Sequence, residues 1–385
     1  MKTFMGGFPN HLYIHWPFCS SKCHFCDFVA FEQHEDYQEA YHKTLYKEIE
    51  TFAQTFPLET RKPKTIFIGG GTPSLYPLDW MEQFFDLLKK ECGMSLCQEV
   101  SMESNPADIT EERLDAWDFF GITRLSMGVQ CLNDDVLFKL GRRQRKKDVY
   151  NAIKIIPKYI DNLSIDLILG LPGVSVTEWK QMLKEVVSWP INHISIYFLM
   201  IHEKTPLYFK VERKQVSLLE DEKIVDLYDY TVDFLAQHGF EQYEISNFAK
   251  QGYTSLHNQA YWDRSPYKGF GVGSSSFDGK YRLKNDPNLE NYLKSLQSHP
   301  FSAPFSSEEI TKKQELLEVL MLGLRQKKGV DLHHVLYSLE SDENKAFIQN
   351  LSSLIKSGFI EKNNQTIRLT RKGMALENEV IIRLV

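Results

Sequence analysis

From residue 11 to about residue 240, short runs of apolar and β-branched residues alternate with longer stretches of helical length. The runs are His11–Trp16, Thr65–Ile68, Val100–Glu103, Arg124–Val129, Ser164–Leu169 and His193–Phe198, and each predicts a strand. Tyr37–Phe56, Leu78–Glu91, Thr110–Phe120, Asp134–Tyr159, Thr177–Ser188 and Leu218–Gln237 predict helices between and after them. Strand followed by helix builds a parallel sheet with helical crossovers. Six such units predict an α/β fold in the form of an open, partial (β/α)6 barrel, short of the eight units of a closed one.

Beyond that region the pattern changes. Ser217-Leu218-Leu219-Glu220 reads as a capping box opening the last helix. Phe240 to about Pro304, rich in Gly, Ser, Asn and aromatics, reads as loops and short strands, with a composition break near Ser298–Phe305. Ser306-Ser307-Glu308-Glu309 reads as a second capping box, ahead of an apolar helix around Leu316–Leu324. Asp331–Leu339, Asn344–Gly358 and the alternating Phe359–Leu369 complete a helix-helix-helix-wing order. The predicted division is a barrel over residues 1–240, an extension over 241–304 and a C-terminal winged-helix-like α+β module over 305–385.

Composition narrows the function classes. The 385 residues are 42% hydrophobic and 25% charged, as in ordinary globular proteins, and the net charge of −6 offers no bulk field for nucleic acid. A winged helix can bind DNA, but residues 306–385 carry 12 basic and 11 acidic residues, a weak footprint for phosphate binding, so packing or protein contact is expected there and no nucleic acid. No apolar run approaches the roughly 18 residues of a membrane span, and Met1–Gly7 lacks a signal core, so no integral membrane segment and a cytoplasmic location are expected. Six cysteines are too few for a disulfide framework in a chain of this length, which leaves thiols or metal ligands.

Candidate chemistry gathers at the predicted carboxyl ends of the strands, the face where parallel α/β folds bind ligands. The cysteines follow the first strand and Gly69-Gly70-Gly71-Thr72-Pro73 the second, with Glu103-Ser104-Asn105-Pro106 at the third, Gln130 at the fourth and Asp166 within the fifth. Cys19, Cys23 and Cys26 have the spacing Cys-x3-Cys-x2-Cys. Three thiolates suit three corners of a 4Fe-4S cluster and leave the fourth iron open. S-adenosylmethionine can take that iron through its amino and carboxylate groups, and an electron from the cluster then cleaves its carbon–sulfur bond to a 5′-deoxyadenosyl radical. A zinc site or buried thiols are the alternatives; tetrahedral zinc wants a fourth ligand, for which His24 is awkwardly placed.

Tyr13-Ile14-His15-Trp16-Pro17-Phe18-Cys19 running into Cys26-Asp27-Phe28 resembles the opening of a radical S-adenosylmethionine family, the one containing oxygen-independent coproporphyrinogen III dehydrogenases (HemN) and the related heme chaperones (HemW). The resemblance extends through Gly69–Pro73, Glu103–Pro106, Ser126–Gln130 and Ile165–Pro172 into the C-terminal module. It implies that Cys19, Cys23 and Cys26 ligate the cluster. It also implies that Tyr13, Phe25, Gly70, Gly71, Thr72, Glu103, Gln130, Arg142 and Asp166 line the S-adenosylmethionine pocket. Glycines admit close backbone approach, carboxylates accept from ribose hydroxyls or an ammonium, and aromatic surface covers apolar parts.

The dehydrogenase branch typically carries a further Cys just past the third; here the chain reads Cys26-Asp27-Phe28. His257-Asn258-Gln259-Ala260-Tyr261-Trp262 matches the HNxxYW motif of the chaperone branch, associated there with heme, and on a helix His257 and Tyr261 would share a face. Gly271-Val272-Gly273-Ser274-Ser275-Ser276 departs from the family, in which a histidine often follows. Cys92, Cys97 and Cys131 read as inert thiols. The expected function is therefore that of a heme chaperone binding heme, a 4Fe-4S cluster and S-adenosylmethionine and passing heme to an acceptor protein. An electron donor such as flavodoxin or ferredoxin is expected if S-adenosylmethionine is cleaved. The alternatives are oxygen-independent coproporphyrinogen III oxidation and a winged-helix regulator with a redox-sensing cluster.

Overall fold

A computed structural model describes residue 4, residues 6–298 and residues 306–385. The composition break expected at Ser298–Phe305 lies almost wholly outside the described residues, and Met1–Gly7 lies largely outside them. The six expected strands are present: β1 His11–Trp16, β2 Thr65–Gly70, β3 Glu99–Ser104, β4 Arg124–Gln130, β5 Asn162–Leu169 and β6 His193–Phe198. They pair in chain order, all parallel, with His11 opposite Thr65, Thr65 opposite Glu99, Ser101 opposite Arg124, Arg124 opposite Asn162 and Ser164 opposite His193.

Strand alternation explains why this sheet can hold polar chemistry. Successive side chains point to opposite faces. Ile14, Ile68, Met102, Leu125, Met127, Ile165, Leu167, Ile194 and Ile196 are fully buried in the large apolar core, each contributing about 1.5–3 kcal/mol. The intervening positions are polar: Ser101 and Glu103 on β3, Arg124 and Ser126 on β4, Ser164 and Asp166 on β5, His193 and Ser195 on β6. Ser164 bonds His193 Nδ1 at 2.7 Å, and the Ser126 hydroxyl donates to Asp166 at 3.0 Å.

The short strands expected in the extension join the barrel sheet. Tyr267–Phe270 pairs parallel with the free side of β1, and Ser275–Phe277, Tyr281–Lys284 and Ser306–Glu309 follow antiparallel. Asn247–Ala249 closes onto β6 antiparallel. The partial barrel is thus part of a 12-stranded sheet. Among the described residues, no helix is long and apolar enough to cross a membrane.

Several element boundaries differ from expectation. Ser306–Glu309 is a strand and not a helix cap; the helix is Lys312–Leu324, and its capping box is Thr311 with Gln314. Ser217 does not cap either: the helix is Asp221–Gln237 with Glu220 at the cap position and no side-chain cap bond. Pro206–Glu212, capped by Thr205, is a helix the pattern missed. The stretch Leu78–Glu91 is α-helical only to Leu87 and ends in a π-helical turn, Leu88–Cys92. Asp134–Tyr159 is broken into helices Asp134–Lys139 and Lys146–Ile155, with Gly141 at φ +73° between them. The C-terminal module follows the expected order, with helices Leu332–Tyr337 and Ser341–Lys356 and a hairpin of Ile360–Asn363 and Thr366–Leu369 around its own apolar core.

Candidate functional site

The loop after β1 is clamped at several points. Phe18–Cys19 pairs with Phe31–Glu32, and the Cys26 amide donates to the Cys23 carbonyl at 3.0 Å. The His24 amide donates to Leu140 O at 2.9 Å, and the Leu207 amide reaches back to His24 O at 2.9 Å. The break at Leu140–Arg145 and the unforeseen Pro206–Glu212 helix therefore both hold the cysteine loop. His24 Nδ1 lies 2.8 Å from Lys139 O and 3.1 Å from Lys210 Nζ, which ties the ring to this clamp.

Each thiol has one hydrogen-bond donor. Thr72 Oγ1 donates to Cys19 Sγ at 3.2 Å, Arg142 Nη1 to Cys23 Sγ at 3.3 Å, and the Phe28 amide to Cys26. Burial pushes the Cys19 thiol up to about 11 and also raises Cys26, so metal binding must displace those protons. Among the described residues, no three His, Cys, Asp or Glu side chains are gathered closely enough for a single ion.

Behind the thiols lies a cavity of about 410 Å³ at the carboxyl ends of the strands. Of the residues implied by resemblance, Cys19, Cys23, Phe25, Cys26, Gly70, Gly71, Thr72, Glu103, Gln130, Arg142 and Asp166 all line it. Gly71 allows close packing of two loops: a Cβ there would sit 2.6 Å from the Pro17 backbone. Gly70, at φ +114°, aims its amide at Glu103 Oε2, 2.9 Å away. Burial lifts the Glu103 carboxyl to about 7, the nearby Asp166 adding to the effect and the Gly70 bond opposing it. Burial likewise raises Asp166. Gln130 ends β4 at a register shift with φ +66°, a strained conformation of the kind held at ligand sites. Arg142 donates from Nη2 to Gly128 O at 2.6 Å, while its buried Nε has no partner.

Residues 13–186 match the radical SAM superfamily, and residues 310–376 the HemN C-terminal domain. The heme chaperone HemW of Lactococcus lactis is 31% identical over 97% of this chain and 96% of its own length. HemW of Bacillus subtilis is 32% identical over 96% and 97%. The chain belongs to the HemW family of radical SAM proteins. A zebrafish (Danio rerio) relative, the mitochondrial radical S-adenosyl methionine domain-containing protein 1, is 31% identical over 97% of this chain and 87% of its own length. The solved structure of coproporphyrinogen III oxidase (HemN) from Escherichia coli, a radical SAM enzyme, shares the fold with a TM-score of 0.84 at 23% identity, covering 98% of this chain and 90% of that one.

Two residues expected at the site of this HemW-family chain are not brought to it. Tyr13 is not part of the cavity lining; its hydroxyl is 2.9 Å from His15 Nδ1 and its ring stacks on Phe67. His15 Nε2 is 2.8 Å from Val29 O, so that nitrogen carries the proton and Nδ1 accepts from Tyr13. His257 does share a helix face with Tyr261, on Leu256–Trp262, but at the opposite end of the barrel. Its amide donates to Glu99 at the start of β3, its Nδ1 is 2.7 Å from Thr65 Oγ1 at the start of β2, and its Nε2 is 2.9 Å from the Tyr261 hydroxyl. The side chain is 0% exposed, and burial pushes its pKa down to about 3. In this arrangement both ring nitrogens of His257 are engaged and its side chain is enclosed, away from the cavity.

Sequence reasoning missed several residues in and below the cavity. Arg124, 2% exposed inside the barrel and not part of the lining, is the counter-charge for Glu103 and Asp166; an arginine at a polar position of an alternating strand was the available signal. Ser126, Tyr197, Leu199, Met200 and His202 line the cavity itself. The last three lie past the end of β6, where no motif marked them.

Proposed function

We propose that the chain is a heme chaperone that binds heme, a 4Fe-4S cluster and S-adenosylmethionine and transfers heme to an acceptor protein in the cytoplasm. The observation that carries this reading over porphyrinogen oxidation is the end of the cysteine loop. Where the dehydrogenase branch has a further thiol just past the triad, this chain has Asp27 and Phe28, and Phe28 stands 68% exposed at the cavity mouth. Nearly full-length similarity to proteins named heme chaperone HemW supports the same choice.

In this reading Cys19, Cys23 and Cys26 hold the cluster, which supplies one-electron chemistry at an open iron when bound. Gly70 and Gly71, packed against His15 and the Pro17 backbone, hold their own backbone at the cavity wall beside the methionyl end of S-adenosylmethionine, Glu103 and Asp166 offer carboxylates to its polar groups, and Arg142 offers a cation. Thr72 and Arg142 keep two thiolates oriented. A flavodoxin- or ferredoxin-like donor would be needed only if S-adenosylmethionine is cleaved.

The test is anaerobic. Cluster-reconstituted protein is titrated with heme, mixed with an apo-hemoprotein, and separately given coproporphyrinogen III, S-adenosylmethionine and reductant. Heme uptake and transfer without decarboxylated porphyrin are expected; substrate-dependent decarboxylation would replace this reading with the oxidase.

A further inference from the structure

If heme is the cargo, its site has to offer an iron ligand, a flat apolar surface and access from solvent. His257 offers none of these, being enclosed and bonded at both nitrogens. The other end of the barrel offers all three.

His202 is the one histidine, among the described residues, that lines the cavity behind the cysteine loop. Its Nδ1 lies 3.5 Å from Asp27 Oδ2, and its backbone carbonyl accepts from the Thr205 hydroxyl at 2.7 Å, which anchors the segment. Metal-ligating histidines characteristically turn one ring nitrogen to a carboxylate, which fixes the tautomer and makes the other nitrogen a better donor. Asp27 and His202 come from opposite sides of the mouth, so the pair is a product of the fold and not of local sequence.

The rim around this pair is unusually apolar for a solvent-facing surface. Phe28 is 68% exposed, Met200 65% and Tyr197 43%, and all three line the same cavity. Exposed large apolar side chains gathered around a cavity mark a binding surface. Aromatic faces and a thioether suit a porphyrin plane. Lys22 also lines the mouth, its ammonium 3.1 Å from Phe28 O, within reach of a propionate on that side.

We propose that heme docks across the mouth of this cavity, with His202 Nε2 as the axial iron ligand, Asp27 behind its Nδ1, and Phe28, Tyr197 and Met200 against the porphyrin. The proposal rests on the heme-chaperone reading. The interior, with Glu103, Gln130, Arg142 and Asp166, is left to S-adenosylmethionine, and the cargo covers it from outside. An open rim suits a chaperone, since a ligand held at a mouth can pass to an acceptor without unfolding its carrier.

The full-length, cluster-reconstituted protein is titrated with hemin anaerobically, and the Soret band, the ferric spin state by electron paramagnetic resonance and the iron and sulfide content are recorded. His202→Ala is expected to retain its cluster, to lose the histidine-ligated spectrum and to bind heme at least about tenfold more weakly. His202→Met is expected to restore binding with an altered axial-ligand signature. Asp27→Asn should keep ligation while weakening it, and Phe28→Ser should weaken binding without changing the spin state. A His202→Ala protein with wild-type affinity and spectrum would overturn the site while leaving the chaperone reading intact. Wild-type protein that takes up no heme would overturn both.

Discussion

Glu103 sits under a strain that a pH series can expose. Its carboxyl is lifted to about 7, chiefly by burial, from an ordinary value of 4.5. Between those values the folded chain keeps a proton that the unfolded chain releases, so folding stability falls as pH rises across the window and is flat on either side. The full interval corresponds to about 3 kcal/mol. Because the side chain faces a cavity open to solvent, water offsets part of this, and about 1–3 kcal/mol is the expected span. Glu103→Gln removes the charge while its amide oxygen can still accept from the Gly70 amide. In cluster-free protein, anaerobic thermal melts followed by circular dichroism should show the variant and the wild type close together near about pH 5 and the variant increasingly more stable up to about pH 8, where the gap levels off. Comparing the two at each pH cancels the titration of carboxylates that do not interact with Glu103; Asp166, which does, titrates as part of the same pair. Calorimetry should show the opposite ranking for S-adenosylmethionine, with weaker binding by the variant at the higher pH. An offset that stays constant with pH, or that shrinks as pH rises, would refute the assignment of this strain to Glu103.

Replacing Cys19, Cys23 or Cys26 by Ala should abolish the visible absorption of the reconstituted cluster, whereas Ala at Cys92, Cys97 or Cys131 should leave it in place, as read by iron content and absorbance. Thr72→Val and Arg142→Gln each remove a donor to a ligating sulfur; both should lower the cluster's reduction potential in an anaerobic redox titration, Arg142→Gln more because it also removes a positive charge. His257→Ala should cost about 2–4 kcal/mol by opening a cavity, stranding the Tyr261 hydroxyl and leaving the Thr65 hydroxyl with His11 alone, seen as a lowered melting temperature with the cluster spectrum unchanged.

The barrel was legible because its strands are short apolar runs set off by turns and its helices are long, and local pattern carries that information. What was not legible depends on tertiary partners. Nothing local separates Asp134–Lys139 from Lys146–Ile155 except Gly141; the break is worth its lost helical bonds because Arg142 and Gln144 reach Gly128 O and the loop carbonyls clamp His24. Ser306–Glu309 has the letters of a capping box, yet pairing with Tyr281–Lys284 satisfies four residues of backbone at once. The strands of the extension are two to four residues long, too short to show periodicity, and are fixed by neighbours such as β1 and β6. The site divides in the same way. Residues that sit in motifs at strand ends, such as Gly70, Glu103 and Gln130, were found because the fold class alone says which end of a strand faces the ligand. The place of His257 could not be read in advance, because a motif gives residue types and not the end of the barrel they reach; Glu99, accepting from the amides of Leu256 and His257, docks that helix beneath β2 and β3. Asp27 and His202 show the converse. They are 175 positions apart and without a shared motif, and only the closure of the loop after β6 over the cysteine loop sets an imidazole against a carboxylate at an apolar mouth. The residues of the His257–Trp262 motif thus lie at the buried end of the barrel, while the mouth of the open end, with the exposed Phe28 and Met200, is marked only by exposure and geometry.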